Sequence, residues 1–154
     1  MRWRNFHIWR GRLPHWRADD VNYYVVFRHR RDLEDAERQI VLRALLLQHG
    51  RRLDVRIAGV LPDRTELIFR AQLSPDGRPY ELAEAVEAAK KRAARSIMKR
   101  SGERYPPFWE ESFDRIIRDD AEFEERWLAI LGGPVDAGLA DEPEDDPGLW
   151  VAAP

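Results

Sequence analysis

The segment Phe108–Leu139, FWEESFDRIIRDDAEFEERWLAILGGPVDAGL, contains a strand followed closely by a helix. We predict the strand at Ser112–Ile117. Asp119, with Glu122 three residues later, is a typical helix start, because such side chains accept hydrogen bonds from unpaired backbone N–H groups. This last helix is expected to bury three apolar side chains, Phe123, Trp127 and Ile130. We expect the sequence Gly132-Gly133-Pro134 to end it.

Further elements precede this segment. They are a strand at Asn22–Arg28, a helix at Leu33–His49 with Asp32 as its cap and Gly50 as its stop, a hairpin of Leu53–Leu61 and Glu66–Ala71 around Pro62-Asp63, and a helix at about Tyr80–Ser101. Apolar periodicity assigns a buried face to each helix. These faces are Ala36, Ile40, Ala44 and Leu47 in the first helix, and Leu82, Val86, Ala89, Ala93 and Ile97 in the second. The order predicts an α+β domain whose antiparallel sheet carries its helices on one face.

Composition is that of one small globular domain. The chain has 154 residues, of which 44% are hydrophobic and 35% are charged. It has no cysteine, which excludes a disulfide framework and a thiolate zinc site. No apolar run approaches the roughly 20 residues that span a bilayer. We therefore expect a cytoplasmic protein with no membrane partner.

The net charge of −2 conceals a strong segregation of charge. Residues 1–31 contain eight arginines and two aspartates, and residues 89–105 contain seven basic residues and one glutamate. From residue 106 onward, the sequence has fourteen aspartate and glutamate residues and only three arginines. The sequence thus has two basic segments, which are typical of nucleic-acid contact, and an acidic end.

The Phe108–Leu139 segment resembles the end of the REP-associated tyrosine transposases, single-tyrosine members of the HUH group. That family reads Phe-Trp-Gln-x-Glu-Ser-Phe-Asp-Arg-x-Ile-Arg-Asp, then a helix and Tyr-Ile-x-x-Asn-Pro-Val-Lys-Ala-Gly-Leu. The nucleophilic tyrosine is matched by Ala129, and a methyl group cannot attack a phosphodiester. Leu61–Phe69 is similarly matched to the family's Met-Pro-Asn-His-x-His-Leu-Leu-Leu pattern.

In that second match, Arg64 and Glu66 stand where the family has two histidines. In the family the histidines hold a divalent ion, such as magnesium or manganese, that polarises the scissile phosphate. A guanidinium does not ligate metals, and a lone carboxylate holds magnesium weakly. We therefore expect no cofactor. We also expect Ala129 to face Arg64 and Glu66 across a groove at the sheet edge, where Arg64 could contact a phosphate directly.

The resemblance extends to Arg12–Arg28, which is similar to the family's opening, and to Glu142–Pro147, which is similar to its tail. It implies a ferredoxin-like fold with a four-stranded antiparallel sheet. We divide the single domain into a basic arm (1–18), a ferredoxin-like core (19–139) and an acidic tail (140–154).

Eleven residues are candidates for DNA contact. They are Arg2, Arg4, Arg10, Arg12, His15, Trp16 and Arg17 in the arm, Arg64 at the hairpin, and Lys91, Arg95 and Lys99 on the second helix. Arginine neutralises phosphate and indole stacks on unpaired bases, while residues spaced by four share one helix face. Two structural alternatives stay open: the helix stripe is a solvated face, or the arm folds over the sheet and buries its tryptophans.

The function predicted from these features is recognition of single-stranded or hairpin DNA by a transposase-like protein that no longer cuts it. One alternative is an active tyrosine transposase whose nucleophile has moved to another tyrosine. Another is a regulatory subunit without DNA contact, which the acidic end favours. The sequence leaves a homodimer open.

Overall fold

The computed structural model describes the backbone at residues 4–9, 15–19, 22–71, 82–104, 109–110 and 112–153. Side chains are described at 22–70, 84–104, 109–110 and 112–153. The strands are β1 (Arg4–Trp9), β2 (His15–Asp19), β3 (Asn22–Arg28), β4 (Leu53–Val60), β5 (Arg64–Ala71), β6 (Phe113–Ile116) and β7 (Leu149–Val151). The helices are α1 (Asp35–Leu46), α2 (Leu82–Ser101) and α3 (Asp120–Asp136), with a 3₁₀ turn at Pro143–Asp145.

The main sheet is antiparallel, as predicted, but it has five strands in the order β6-β3-β5-β4-β7 rather than four. The fifth strand, β7, comes from the segment that we expected to be an acidic tail. β1 and β2 form a separate two-stranded hairpin that begins in the predicted arm and ends at Asp19, one residue beyond it, and β2 lies close to β6. β7 therefore joins the main sheet from beyond residue 139.

The helices cover both faces of the sheet, so the prediction of helices on one face is wrong. Tyr23, Val25 and Phe27 of β3 belong to the large core cluster under α1 and α2. Tyr24 follows Tyr23 in the chain but lies on the opposite face of the sheet, where it packs with Ile130 of α3 in a second cluster. Because successive residues of a strand point to opposite faces, a strand that is apolar throughout requires cover on both sides.

A bulge in β4 adjusts which of its residues face α3. The pairing of β4 with β5 shifts between Val55 and Ile57. Val55 and Ala58 therefore both face the α1 and α2 layer, whereas Ile57 between them faces α3. Such an insertion reverses the alternation of a strand from that point on, and the apolar pattern alone does not locate it.

Helix α1 buries two charged side chains that the predicted face did not include. It begins at Asp35 with Glu34 as N-cap rather than Asp32, and Glu34 and Glu37 form a capping box. Glu37 and Arg38 are each only 1% exposed, whereas Leu47, assigned to the buried face, is exposed. Ion pairs make this burial tolerable: Arg31 donates to Glu37, and Arg38 donates to Asp146 and Asp35.

The buried face predicted for α2 and the N-cap predicted for α3 agree with the structure. In α2, Val86, Ala89, Ala93 and Ile97 are buried as predicted, and Gly102 at φ +78° ends the helix. In α3, the Asp119 side chain accepts from the Glu122 N–H at 2.8 Å, as predicted.

Helix α3 does not break at Gly132-Gly133-Pro134. It runs to Asp136, and Ile130 is fully buried while Phe123 and Trp127 are only partly so. Proline lacks the N–H that would bond to the carbonyl four residues earlier, but here it lies in the last turn and few later bonds depend on it. The helix ends before Gly138, whose φ of +73° is the left-handed conformation that favours glycine.

The segment after α3 is largely exposed but is anchored at Asp146, Gly148 and β7. Asp146 is buried and accepts two hydrogen bonds from Arg38, at 2.9 and 3.0 Å. Gly148 follows in a position where a Cβ would lie 2.5 Å from Arg38 Nη1 and 2.6 Å from the Val60 carbonyl oxygen, so a side chain does not fit. β7 then pairs with β4, and Trp150 packs edge-on against His49.

Within the described residues, no helix combines the length and the apolar composition that crossing a membrane requires.

Candidate functional site

Arg64, Glu66 and Ala129 line one groove between β5 and α3, which we call the β5–α3 groove. Its volume is about 440 Å³. It is lined by Tyr24, Arg64, Glu66, Arg126, Ala129, Gly133, Asp136 and Ala137. Arg64 and Glu66 are two residues apart on a strand and so share a face, which is the face that α3 covers. They lie at the start of the central strand of the sheet, not at the sheet edge as expected.

The charge of Arg64 is already compensated inside the protein. Its Nε donates to Glu66 Oε1 at 2.5 Å, and its Nη1 donates to Asp63 at 3.2 Å. These carboxylates, Glu66 above all, raise the pKa of Arg64 above its ordinary value. A phosphate entering the groove must therefore compete with Glu66 for this guanidinium.

The groove is unsuited to the divalent ion of the family it resembles. Arg64 cannot ligate a metal, and one carboxylate oxygen of Glu66 is already occupied by Arg64. In the part of the chain that the structure describes, no group of three or more histidine, cysteine, aspartate or glutamate side chains is arranged to hold a metal ion. The lining instead combines two guanidinium groups, of Arg64 and Arg126, with two carboxylates, of Glu66 and Asp136.

A buried histidine fixes the start of β5. His29 Nδ1 lies 2.8 Å from the Pro62 carbonyl oxygen, and its Nε2 lies 2.7 Å from the hydroxyl of Thr65. Thr65 stands between the two groove residues of β5 and faces the opposite side of the sheet. Burial lowers the pKa of His29, and the neutral ring can donate from Nδ1 and accept at Nε2. His29 thereby positions the strand that presents Arg64 and Glu66.

Two groove residues were missed by sequence reasoning. Tyr24, on β3, is 7% exposed, and the guanidinium of Arg126 lies 4.6 Å from the centre of its ring. Burial, and then the nearby charge of Glu66, raises the pKa of the Tyr24 hydroxyl. Arg126 lies three residues before Ala129 on α3, and this helical spacing was the available signal. For Tyr24, no local signal distinguishes it from its neighbour Tyr23, which packs in the core.

The other candidates for DNA contact lie elsewhere. Lys91, Arg95 and Lys99 are exposed on α2, which covers the sheet face opposite the groove. The positions Arg4, His15, Trp16 and Arg17 fall within the β1–β2 hairpin, whose backbone alone is described, and Arg2, Arg10 and Arg12 lie outside the described residues. The structure thus brings Arg64 to the groove and leaves the α2 stripe on the far side.

The fold is similar to that of a REP-associated tyrosine transposase whose structure was solved bound to a REP hairpin. The two chains share 13% sequence identity with a TM-score of 0.67, and the match covers 88% of this chain and 79% of the other. At this identity the likeness shows the fold alone. No protein-family model matches the sequence, and neither does any curated protein sequence.

Proposed function

We propose that this protein binds hairpin DNA with an unpaired segment through the β5–α3 groove and does not cut it. The observation that carries the proposal is the meeting of Arg64, Glu66 and Ala129 in one groove. In the motif resemblance described above, these residues stand at the positions of the metal-holding pair and the nucleophile of REP-associated tyrosine transposases. Ala129 is 63 residues beyond Glu66 in the chain. The two motifs that contain them therefore need not lie close together in space, and their meeting in one groove is a separate observation. The similar transposase, with its bound REP hairpin, supports DNA as the partner.

The same three residues argue against cleavage. Ala129 supplies no nucleophilic atom, and Arg64 and Glu66 occupy each other rather than a metal ion. Arg64 and Arg126 nevertheless give the groove guanidinium groups, which hydrogen-bond phosphate oxygens well. The groove therefore has groups that can hold a DNA backbone, while Arg64, Glu66 and Ala129 supply neither a nucleophile nor a metal site.

One observation favours a second function, cleavage by a relocated nucleophile. Tyr24 lines the groove beside Arg126 and Glu66. In such a reaction the Tyr24 oxygen would form a bond to phosphorus while the bond to the departing sugar oxygen breaks. The phenolic proton would pass to Glu66, and the departing oxygen would take a proton from water. Burial raises the pKa of Tyr24, which opposes formation of the phenolate and makes this the weaker candidate.

Binding and cleavage are tested together with the full chain and an end-labelled hairpin that carries a single-stranded tail. With magnesium or manganese present, we expect a shifted band on a native gel and no labelled protein on a denaturing gel. Absence of a shift at low ionic strength would contradict DNA binding. A labelled protein band would contradict the loss of cleavage, and its disappearance in Tyr24→Phe would identify the relocated nucleophile.

Two neighbouring exposed residues of α3 provide a matched pair of variants. Ala129 lines the groove, whereas Leu128 is 51% exposed and does not. Ala129→Glu should weaken DNA binding at least about tenfold, because it places a carboxylate beside the phosphate path. Leu128→Glu adds the same charge one residue away and should change the affinity much less. Equal effects would show that DNA responds to overall charge and does not occupy the groove.

A further inference from the structure

An exposed aromatic ring stands on the groove side of the sheet. Phe113 of β6 is 43% exposed. Ile116 packs in the α1 and α2 cluster and Ile117 packs in the α3 cluster. Phe113 and Ile117 are four residues apart, and residues an even number apart on a strand point to the same face. Phe113 therefore lies on the face that carries α3 and the groove.

The strand register joins this ring to the groove. Phe113 is directly opposite Val26 of β3, and Val26 is directly opposite Glu66 of β5. Two strand spacings, roughly 10 Å, separate Phe113 from Glu66. Val26 between them is only half-buried, so a continuous surface leads from the outer strand to the groove.

Arginines flank this surface and can contact the phosphates of a nucleic-acid backbone, while the carboxylates of Glu66 and Asp136 lie in the groove itself. Arg28 is exposed and lies opposite Arg64 in the pairing of β3 with β5, on the same face. Arg126 lies over Tyr24 on the other side of the row. Within the described residues, the other exposed large apolar side chains are aliphatic, namely Leu47, Leu128, Val135 and Val151. Phe113 alone among them has a π-face on which a base can stack.

We propose that Phe113 is the stacking residue for one unpaired nucleobase of a DNA strand that enters the β5–α3 groove. The inference rests on the proposed function and adds the binding subsite of the unpaired segment. Aromatic side chains stack on any base, so this subsite would require an unpaired base without specifying its identity. Arg28 would neutralise a phosphate of the same strand.

The test compares a hairpin with a single-stranded tail and the same hairpin with a blunt end. Loss of one stacked base should weaken binding about 5- to 150-fold, so Phe113→Ala should show this loss with the tailed hairpin only. Phe113→Tyr should bind as the wild type does, and Phe113→Leu, which keeps apolar bulk without the ring, should behave like Phe113→Ala. Leu128→Ala is the matched control for an exposed apolar side chain. Thermal melting of each variant establishes that it is folded.

A fluorescent base locates the contact. With 2-aminopurine placed in turn at each tail position, binding to the wild type should change the emission most strongly at one position, and Phe113→Ala should remove that change. The slope of log affinity against log salt should stay constant in Phe113→Ala, because stacking releases few counterions, and fall by about 0.7 in Arg28→Ala.

The outcomes separate this inference from the proposed function. If the wild type binds tailed hairpins and Phe113→Ala or Phe113→Leu binds them equally well, the stacking role is wrong while DNA binding stands. If Phe113→Ala changes the sedimentation of the protein and leaves DNA affinity unchanged, the ring faces another protein chain instead. If the wild type binds no DNA, the proposed function fails and the subsite fails with it.

Discussion

Arg64 Nε and Glu66 Oε1 lie 2.5 Å apart, so the two side chains form an ion pair within the β5–α3 groove. Because Glu66 competes with phosphate for Arg64, Glu66→Gln should tighten DNA binding. A partly exposed ion pair contributes up to roughly 1 kcal/mol, so the gain should be about fivefold or less. Titration with a labelled hairpin measures it. Glu124→Gln, at an exposed position of α3 outside the groove, is the control, and equal gains from both variants would contradict the competition.

Introduction of the transposase residues at the three matched positions should produce cleavage chemistry only when all three are present. Ala129 is exposed in the groove, so Ala129→Tyr adds a hydroxyl facing β5 without displacing core side chains. We expect Arg64→His, Glu66→His and Ala129→Tyr together to form a covalent DNA adduct in manganese. Each single variant should form none, because nucleophile and metal act as a unit. An adduct from Ala129→Tyr alone would show that the groove activates a phosphate without a metal.

The buried ion pair between Arg38 and Asp146 should dominate the stability of the segment after α3. Both side chains are only 1% exposed. Asp146→Ala leaves a buried guanidinium with its main partner removed, which should lower the free energy of unfolding by about 3–5 kcal/mol. Asp35→Ala removes the other, largely exposed carboxylate and should change it by less than about 1 kcal/mol. Urea unfolding of the two variants compares them, and similar losses would contradict the dominant role of Asp146.

His29 should make the protein less stable in mild acid. Burial holds its pKa in the folded state below the ordinary 6.5, so the unfolded chain takes up the proton first as pH falls. The contribution of neutral His29 to the free energy of unfolding is therefore complete above about pH 6.5. It declines as the pH drops towards the pKa of the folded state. The free energy of unfolding of the wild type, measured between about pH 7 and pH 5, should fall more steeply than that of His29→Asn. Parallel curves would exclude His29 as the cause.

Salt dependence should distinguish the groove from the α2 stripe. Arg126→Ala removes one groove cation and should reduce the slope of log affinity against log salt by about 0.7 for a single strand. Lys91→Ala with Arg95→Ala should leave the slope unchanged for a short strand, because α2 covers the opposite sheet face. A reduction of about 1.4 in the double variant would show that both side chains contact phosphate and that the DNA reaches around the sheet.

The sequence was informative where a motif and a local signal coincide. The cap at Asp119, the buried stripe of α2 and the antiparallel pairing of β4 with β5 all depend on residues near one another in the chain, and the structure confirms them. The groove position of Ala129 opposite Glu66 followed from matched motifs rather than from periodicity.

What the sequence did not predict depends on contacts between distant residues. The burial of Arg38 requires Asp146, 108 residues away, and without that partner its charge indicates an exposed position. Ile57 packs beneath α3 because the bulge in β4 turns it to that face, and one extra residue in a strand leaves little trace in an apolar pattern. Pro134 predicts a helix end, but it lies in the last turn of α3, where few later hydrogen bonds depend on it.

The pairing of β7 with β4 has a consequence for the order in which the protein folds during synthesis. β4 and Arg38 leave the ribosome about a hundred residues before β7, which covers the second edge of β4, and Asp146, which completes the pairing of Arg38. Until then the chain presents an open strand edge on β4, with which other nascent chains can pair. Codon usage or a pause within residues 140–151 should therefore affect the yield of native protein more than its final stability.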